Sequence, residues 1–305
     1  MPESNSKTGY LKEACRLFHL CGLPERSVAY HYHDFHKLLY LMEGEIGYEV
    51  EGISYRLEPG DLMLVGAGSL HRPIFDHTES YERLIFYLSP SLMLRSPWTV
   101  SRGKGFEEII NAGSGKDWDP LSCFSQCRRP GSNLYRPSGT AARKLQGLVQ
   151  ELVQNHQRQD PYALILQELK KAELLLCLSR LMTEQESDPD SLPGGNPTVQ
   201  ACIEYINSHL SEDSLSIDIL ASHAFMSRSR LMHLFKEETG STINSFITEK
   251  RLYLASSLLD KGMGVTDACY QSGFGNYSAF YYAYRRRYHS SPMGKGRMPD
   301  IDNIE

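Results

Sequence analysis

The sequence lacks four features, each of which would assign it to a class of protein. No stretch approaches the roughly 20 uninterrupted apolar residues of a membrane-spanning helix, and the N-terminal stretch has no basic start followed by an apolar run. None of its seven cysteines forms a CxxC pair, which excludes the usual zinc knuckle, and their scatter does not suggest a disulfide framework. We therefore expect a cytoplasmic protein with reduced thiols.

The sequence also lacks an excess of basic over acidic residues. The formal net charge is -5 at pH 7, so the overall balance does not indicate a nucleic-acid-binding protein, and such a function must be argued from where the basic residues lie. The chain does have enough apolar material to fold, because 41% of its 305 residues are hydrophobic. We expect more than one domain at this length.

Residues 27–88 consist of short alternating runs separated by turn signals. Glu43-Gly44-Glu45 and Pro59-Gly60 are typical of such turns. Strands of a few residues at this spacing predict an antiparallel sheet that forms a sandwich or a small barrel.

Residues 140–183 change to a helical period. Leucines at helical spacing predict two helices broken at Asp160-Pro161, and the second helix is apolar round most of its circumference. Such a helix needs a partner to cover it. Residues 184–197 are acidic and rich in proline and glycine, which indicates a linker.

One pattern occurs twice after the linker. The first copy opens with residues 217–221 and its second helix begins after Ser227, whereas the second copy opens with residues 265–269 and its second helix begins after Asn276. Serine and asparagine are favourable N-cap residues, and each copy reads as a helix, a tight turn and a helix. A helix over residues 242–259 joins the two units.

The second helix of each unit carries side chains suited to DNA. The positions predicted to face outward are Arg228, Ser229, Met232 and His233 in the first unit, and Tyr277, Ser278, Tyr281 and Tyr282 in the second, followed by Arg285, Arg286 and Arg287. An aromatic stripe is usually core and an arginine run is usually a solvated face, which is the alternative interpretation. The occurrence of two units in tandem favours DNA contact.

At this point the chain resembles the AraC/XylS-type bacterial transcription regulators. The resemblance is carried by Gly273-Phe274, Phe280, Tyr284 and Pro292 in the second unit, and also by the following residues of the first: Leu220, Ala221, Ser227, Leu231, Leu234, Phe235 and Lys236. Three positions depart from the family pattern, namely Cys269, His289 and Gly296, where alanine, glycine and an aromatic residue are usual. The resemblance implies that both recognition helices enter successive major-groove segments, about one helical turn (~34 Å) apart.

The N-terminal strands resemble the cupin-type ligand-binding half common in this family, over about residues 27–90. The residues expected to contact an effector are His31, His33, Lys37 and His71, because alternation places the first two on one face and His71 ends a strand that can return beside them. Three histidines could bind a metal, but Lys37 stands where metal cupins usually have a glutamate. We therefore expect no metal and no cofactor. Hydrogen-bonded interior histidines are the plainest alternative.

The predicted fold is α+β and multidomain, with an N-terminal antiparallel β-barrel, following helices and a C-terminal all-α double helix-turn-helix domain. The expected divisions are a cupin-like effector-binding domain over 1–139, a helical dimerisation region over 140–183, a linker over 184–197 and the DNA-binding domain over 198–299. Residues 96–139 have no clear pattern and are expected either to cover the barrel or to bridge it to the helices.

The predicted function is a sequence-specific transcriptional regulator, with activation favoured over repression and no catalytic residues. The expected partners are double-stranded DNA, a small-molecule effector, a second copy of the chain and RNA polymerase. The resemblance makes a carbohydrate the leading effector class. The alternative is a metal-dependent cupin enzyme whose C-terminal helices serve for association.

Overall fold

The N-terminal half of the protein is built from antiparallel strands. The computed structural model describes residues 15–22, 28–75, 80–90, 121, 123–124, 132–156, 160–184 and 194–293. The strands in these ranges are β1 (Cys15–Cys21), β2 (His36–Glu43), β3 (Ile46–Val50), β4 (Ile53–Leu57), β5 (Leu62–Val65), β6 (His71–Ile74), β7 (Glu82–Leu88), β8 (Leu134–Tyr135) and β9 (Gly194–Gly195). Strand β1 lies outside the stretch of 27–88 predicted from turn signals, so the sheet begins earlier than expected.

The strands form two sheets packed face to face. The larger sheet has the order β1-β7-β2-β5-β8, and the smaller has the order β6-β3-β4-β9. Alternate residues of β3 and β4 are buried, as expected of strands with one face on the core. The interior between the sheets is apolar and aromatic, with Phe35, Leu39, Tyr48 and Tyr87 among its buried residues. The predicted antiparallel barrel-like fold is confirmed.

Two helices cover the outer face of the larger sheet. Helix α1 (Gly139–His156) and helix α2 (Pro161–Glu184) pack on each other and on the sheet, and Leu145, Leu152 and Leu178 are buried there. The break falls where the sequence predicted it. The Asp160 carboxylate accepts a hydrogen bond from the Ala163 amide at 3.0 Å, so it satisfies one of the free N–H groups at the start of α2.

Six helices form the C-terminal part of the described chain. They are α3 (Pro197–Ser208), α4 (Ile217–His223), α5 (Arg228–Thr239), α6 (Ile243–Asp260), α7 (Val265–Gln271) and α8 (Tyr277–Tyr288). The pairs α4/α5 and α7/α8 are the two helix-turn-helix units, and α6 contributes Phe246 to the core of the first and Leu252 to that of the second. The double unit predicted from the repeated pattern is confirmed.

Side-chain caps begin both recognition helices. Ser227 Oγ accepts a hydrogen bond from the Arg230 amide at 3.4 Å, and Asn276 Oδ1 accepts one from the Ala279 amide at 3.1 Å. At the other end of α8, His289 has φ 53°, in the left-handed region where glycine is the usual C-terminal residue. This explains why the family pattern has glycine at that position, since a histidine must accept a less favourable backbone conformation there.

Most of the patternless segment lies outside the described residues. From its described parts, Leu121, Cys123, Phe124 and Tyr135 join the core between the larger sheet and the helices. The Asn133 amide donates to the Leu64 carbonyl at 2.8 Å, and its oxygen accepts from the Tyr55 hydroxyl at 3.0 Å. The prediction that residues 96–139 cover the barrel or bridge it to the helices falls mostly outside the described residues. Gly296, one of the departures from the family pattern, also lies outside them.

Among the described residues, no helix combines the length and the apolar character required to cross a lipid bilayer.

Candidate DNA-binding helices and effector pocket

The first recognition helix, α5, presents the predicted residues to the outside. Arg228, Ser229, Met232 and His233 are exposed, and Met232 is 41% exposed despite being apolar. Leu231 and Phe235 are buried, so the helix turns its apolar face inward as expected. Before α5 begins, Phe225 is 97% exposed and has φ 52°. A strained, exposed aromatic residue beside the start of α5 is a candidate contact in addition to those predicted from the sequence.

The second recognition helix, α8, presents a mixed aromatic and basic face. Tyr282, Arg285 and Arg286 are exposed, as is Ser278. Tyr277 and Tyr281 are only partly exposed, because their rings stack on each other with centroids 6.4 Å apart and Tyr277 also packs on the buried core. The face predicted to contact DNA on α8 is therefore only partly exposed.

Arg287 is an exception to the arginine run. It is only 5% exposed, and its guanidinium lies 3.5 Å from the Asp34 carboxylate and 3.2 Å from that of Glu249. It also lies over the Tyr32 ring, 4.5 Å from the centroid. The prediction from sequence that Arg287 follows the outward-facing residues is wrong, because its side chain is buried. Its spacing of seven from Phe280 and three from Tyr284 places it on the buried face of the helix.

Asp34 belongs to the barrel, so this ion pair joins the two halves of the protein. Burial raises the pKa of Asp34 to about 6, although the Arg287 charge acts to lower it and Glu249 adds to the rise. Removing either partner would leave a buried charge less well compensated.

Other contacts in the same interface reach the first unit and the joining helix. The Tyr30 hydroxyl lies within hydrogen-bond distance of the Glu49 carboxylate and, at 2.8 Å, of the Glu238 carbonyl of α5. Lys250 of α6 forms an ion pair with Glu51 of the barrel. The barrel thus contacts α5, α6 and α8 together.

Three histidines meet inside the barrel. The ring centroids of His31 and His71 are 4.3 Å apart, those of His33 and His71 are 4.8 Å apart, and all three side chains are buried. The bridge between His31 and His71 brings the two chain segments together, as the sequence predicted. Phe35 stacks on His33 with centroids 3.9 Å apart. Lys37 is also buried there, at 4% exposure.

The hydrogen bonds of these histidines determine their tautomers. Nδ1 of His31, His33 and His71 lies 2.9, 2.7 and 2.9 Å from the carbonyls of Ala29, Phe35 and Ser69. A carbonyl only accepts, so each Nδ1 carries the proton. Burial lowers the pKa of His33 and of His71 well below the usual range, and neighbouring histidines and Lys37 lower it further. Nε2 of His33 and of His71 is therefore a bare acceptor, and neither has a hydrogen-bond partner within the described part of the protein.

These histidines do not form a ready metal site. Within the ranges that the structure covers, they are not among the groups whose ligand atoms all lie within 4.8 Å of one another. The positive charge of Lys37 nearby also disfavours a cation. The arrangement is better suited to an uncharged ligand with hydrogen-bond donors.

A barrel that encloses a cluster of buried histidines, joined to two helix-turn-helix units, is the architecture of a ligand-responsive DNA-binding regulator. Residues 19–192 match the family described as AraC-like ligand binding domain, and residues 220–294 match a helix-turn-helix domain family. The chain belongs to the AraC-type family of transcriptional regulators.

Individual relatives span most of the chain at low identity. The transcriptional activator RhaS of Enterobacter sp. is 22% identical over 271 residues, which is 88% of each chain. The transcriptional regulator YbfI of Bacillus subtilis is 26% identical over 256 residues, 81% of this chain and 79% of that protein. The crystal structure of ToxT from Vibrio cholerae is 13% identical, covers 92% of this chain and 95% of that one, and has a TM-score of 0.33.

The exposed faces of α5 and α8 lead to a prediction about specificity. Met232→Ala or Tyr281→Ala should reduce the discrimination between operator and random DNA, since these side chains are predicted to contact base edges, with a loss of about 1–3 kcal/mol on the operator alone. Arg286→Ala should weaken binding to both DNAs and flatten the salt dependence, because an arginine on a phosphate releases a counterion.

Fluorescence anisotropy on both DNAs at several salt concentrations measures these effects. Tyr270→Ala is the control, because Tyr270 is 52% exposed but lies on α7 instead of a recognition helix. Equal losses on all sequences for Met232→Ala and Tyr281→Ala would show that the reading face is elsewhere.

Proposed function

We propose that the chain is a cytoplasmic transcriptional activator, without enzymatic activity, in which an effector bound in the barrel changes the DNA affinity of the C-terminal helices. In this proposal residues 1–139 bind the effector, 140–183 form the dimer contact, 184–197 link the halves and 198–299 bind operator DNA and assist RNA polymerase. The observation that carries the proposal is the buried contact between Arg287 of α8 and Asp34 of the barrel.

The path from the pocket to the recognition helix is short. Asp34 lies between His33, which belongs to the buried histidine cluster, and Phe35, whose ring stacks on His33. A ligand that displaces His33 therefore displaces the backbone of Asp34. Because Arg287 is buried, it cannot exchange this carboxylate for water without the two halves separating. Ligand binding and the docking of α8 are thus coupled through one chain segment.

Asp34→Asn tests the coupling between the barrel and α8. The change removes one of the two carboxylates facing Arg287, so the barrel should hold α8 less firmly and both recognition helices should adapt more easily to DNA. We expect the effector-free protein to bind its operator about fivefold more tightly or better, the lower end of typical coupling energies. Anisotropy on an operator selected from a random DNA pool, together with hydrogen exchange in α8, measures both effects.

Arg56→Gln is the matched control. Arg56 also pairs with a carboxylate, Glu45 at 2.6 Å, but both side chains are well exposed on the barrel surface. Arg56→Gln should change neither the affinity of the protein for its operator nor the hydrogen exchange of α8. An Asp34→Asn protein that binds and exchanges as the unaltered protein does would refute the coupling.

The pocket chemistry supports a polyhydroxylated effector. Nε2 of His33 and of His71 can only accept hydrogen bonds while the histidines are neutral, so a bound ligand must offer O–H or N–H groups to satisfy them. Phe35 and Tyr48 supply aromatic surface beside these nitrogens, which suits the apolar faces of a sugar ring. A carboxylate brings no donor for these acceptors. A carbohydrate or another polyol is therefore the proposed effector class.

We predict that a panel of monosaccharides and sugar alcohols contains a ligand that raises the melting temperature by several degrees at saturating concentration. His71→Leu should abolish that shift while the protein still melts cooperatively, because one acceptor in the pocket is lost. His209→Gln removes a histidine that stacks on Tyr205 in the C-terminal part, and it should preserve the shift. Stabilisation by carboxylic acids alone would contradict the proposed class.

The exposed face of α2 supports a homodimer. Its large apolar side chains with substantial exposure, at helical spacing, are Tyr162, Ile165, Leu166, Leu169 and Leu176. The opposite face is buried on the sheet through Leu174, Leu175 and Leu178. A second copy presents the same stripe, so a two-fold axis beside α2 would cover both stripes at once and leave the flanking ion pair of Lys170 with Glu151 in water.

We predict that Leu169→Glu weakens dimerisation at least about tenfold, because Leu169 is 59% exposed in the single chain and a glutamate there would bury an unpaired charge in the dimer. Light scattering over a concentration series measures the effect. Gln154→Glu, on the exposed side of α1, adds the same charge outside the stripe and should leave the dimer intact. A monomer at micromolar concentration before any substitution would remove this part of the proposal.

A further inference from the structure

Three potential metal ligands of different chemistry lie together at one end of β1. His19 and Cys21 are two residues apart on this strand and therefore share a face, and Glu82 is the register partner of Cys21 on β7. One ligand atom from each lies within 4.8 Å of the other two, and this is the one such group found in the part of the chain that the structure describes. It lies on the outer, helix-covered face of the larger sheet, whereas the barrel histidines face the interior between the sheets.

The separations are close to those of a zinc site. His19 Nε2 lies 2.7 Å from Glu82 Oε1 and 3.7 Å from Cys21 Sγ. Usual zinc bond lengths at tetrahedral angles require about 3.4 Å between nitrogen and oxygen and about 3.6 Å between nitrogen and sulfur. The imidazole and the thiol are thus already spaced correctly. The carboxylate must retreat by about 0.7 Å when a metal ion replaces the hydrogen that it now shares with the imidazole.

The backbone around the three ligands is held by the pairing of β1 with β7. All seven residues of β1 are in register with β7. Beyond Cys21, the Gly22 amide donates to the Tyr81 carbonyl at 2.9 Å, and the Arg83 guanidinium donates to the Gly22 carbonyl at 3.0 Å. Arg83 and Glu82 are on opposite faces of β7. These contacts fix the backbone positions from which the three ligand side chains extend.

The accessibility and charge of the cluster suit an ion that enters from water. The side chains of His19 and Glu82 are 15% and 30% exposed, and Cys21 is exposed. A thiolate and a carboxylate together balance a divalent cation, and imidazole is neutral as a ligand. A mixed nitrogen, sulfur and oxygen set favours zinc over magnesium or calcium, which prefer oxygen alone.

We propose that His19 Nε2, Cys21 Sγ and the Glu82 carboxylate bind one zinc ion, with water as the fourth ligand. Binding releases the thiol proton of Cys21 to water and breaks the hydrogen bond between His19 and Glu82. The hydrogen of that bond leaves Nε2, either for Nδ1 of the same ring or for water. The ion would fasten β1 to β7, its neighbour in the sheet, and β1 supplies Leu17 to the core beneath α1 and α2. Zinc should therefore stabilise the face of the barrel that carries the proposed dimer helix.

The test uses the full-length protein after treatment with a chelator. Titration with zinc against a chromophoric chelator should show one ion bound per chain, and cobalt in place of zinc should give a thiolate-to-metal charge-transfer band. Cys21→Ser should abolish that band and weaken zinc binding by more than the roughly 10- to 100-fold that loss of an outer-sphere partner costs. Zinc should also raise the melting temperature of the unaltered protein but not of Cys21→Ser.

Two variants keep the outcome decisive. Cys15→Ser changes a cysteine on the same strand and face, outside the cluster, and should behave as the unaltered protein does. Glu82→Gln can preserve the contact with His19 but removes the anionic ligand, so it should weaken zinc binding even if Cys21→Ser proves unstable. The proposal fails if no stoichiometric zinc binds. It also fails if Cys21→Ser and Glu82→Gln bind zinc as the unaltered protein does, or if His33→Gln abolishes binding and so locates the ion in the barrel.

Discussion

The buried guanidinium of Arg287 determines how the two halves of this protein meet. A cation with 5% exposure is tolerated only where carboxylates replace its water, and here the barrel supplies Asp34 while α6 supplies Glu249. Both carboxylates must stay in place, because moving either one leaves the buried charge of Arg287 less well compensated, which is unfavourable in free energy. The ion cluster therefore fixes the barrel relative to α6 and α8, and the aromatic and lysine contacts on α5 and α6 extend the same interface.

The residue that pairs with Arg287 is adjacent in sequence to the buried histidine cluster. His33, Asp34 and Phe35 are consecutive. Phe35 stacks on His33 inside the barrel, whereas Asp34 lies against Arg287 of α8. The histidines are held in one tautomer by carbonyls of their own chain segment. The donors and acceptors of these histidines are fixed before a ligand binds, so their side chains have little freedom to move by themselves. A ligand that displaces them therefore also displaces the backbone to which they are attached.

Local features of the fold could be predicted from the sequence, whereas the features that join distant segments could not. Ser227 and Asn276 are recognisable because a cap acts within three residues of itself, and the break at Asp160-Pro161 is equally local. Strand β1 was missed because CRLFHLC contains a charge, a histidine and two cysteines, and its stability as a strand comes from pairing with β7 more than sixty residues later. Asp34 was missed for the same reason, since nothing near it in sequence reveals a partner on α8.

The geometry of α8 also restricts how an effector signal could reach DNA. Arg285 and Arg286 are exposed, whereas Arg287 is buried. The barrel therefore contacts the side of α8 opposite the surface proposed to contact DNA bases. A docked barrel therefore does not cover the residues that would contact bases. Since the same interface also contacts α5, docking acts on the relative placement of the two recognition helices, and two helices that must enter successive major-groove segments are sensitive to that placement. Control by orientation, and not by occlusion, is the mechanism most consistent with these contacts.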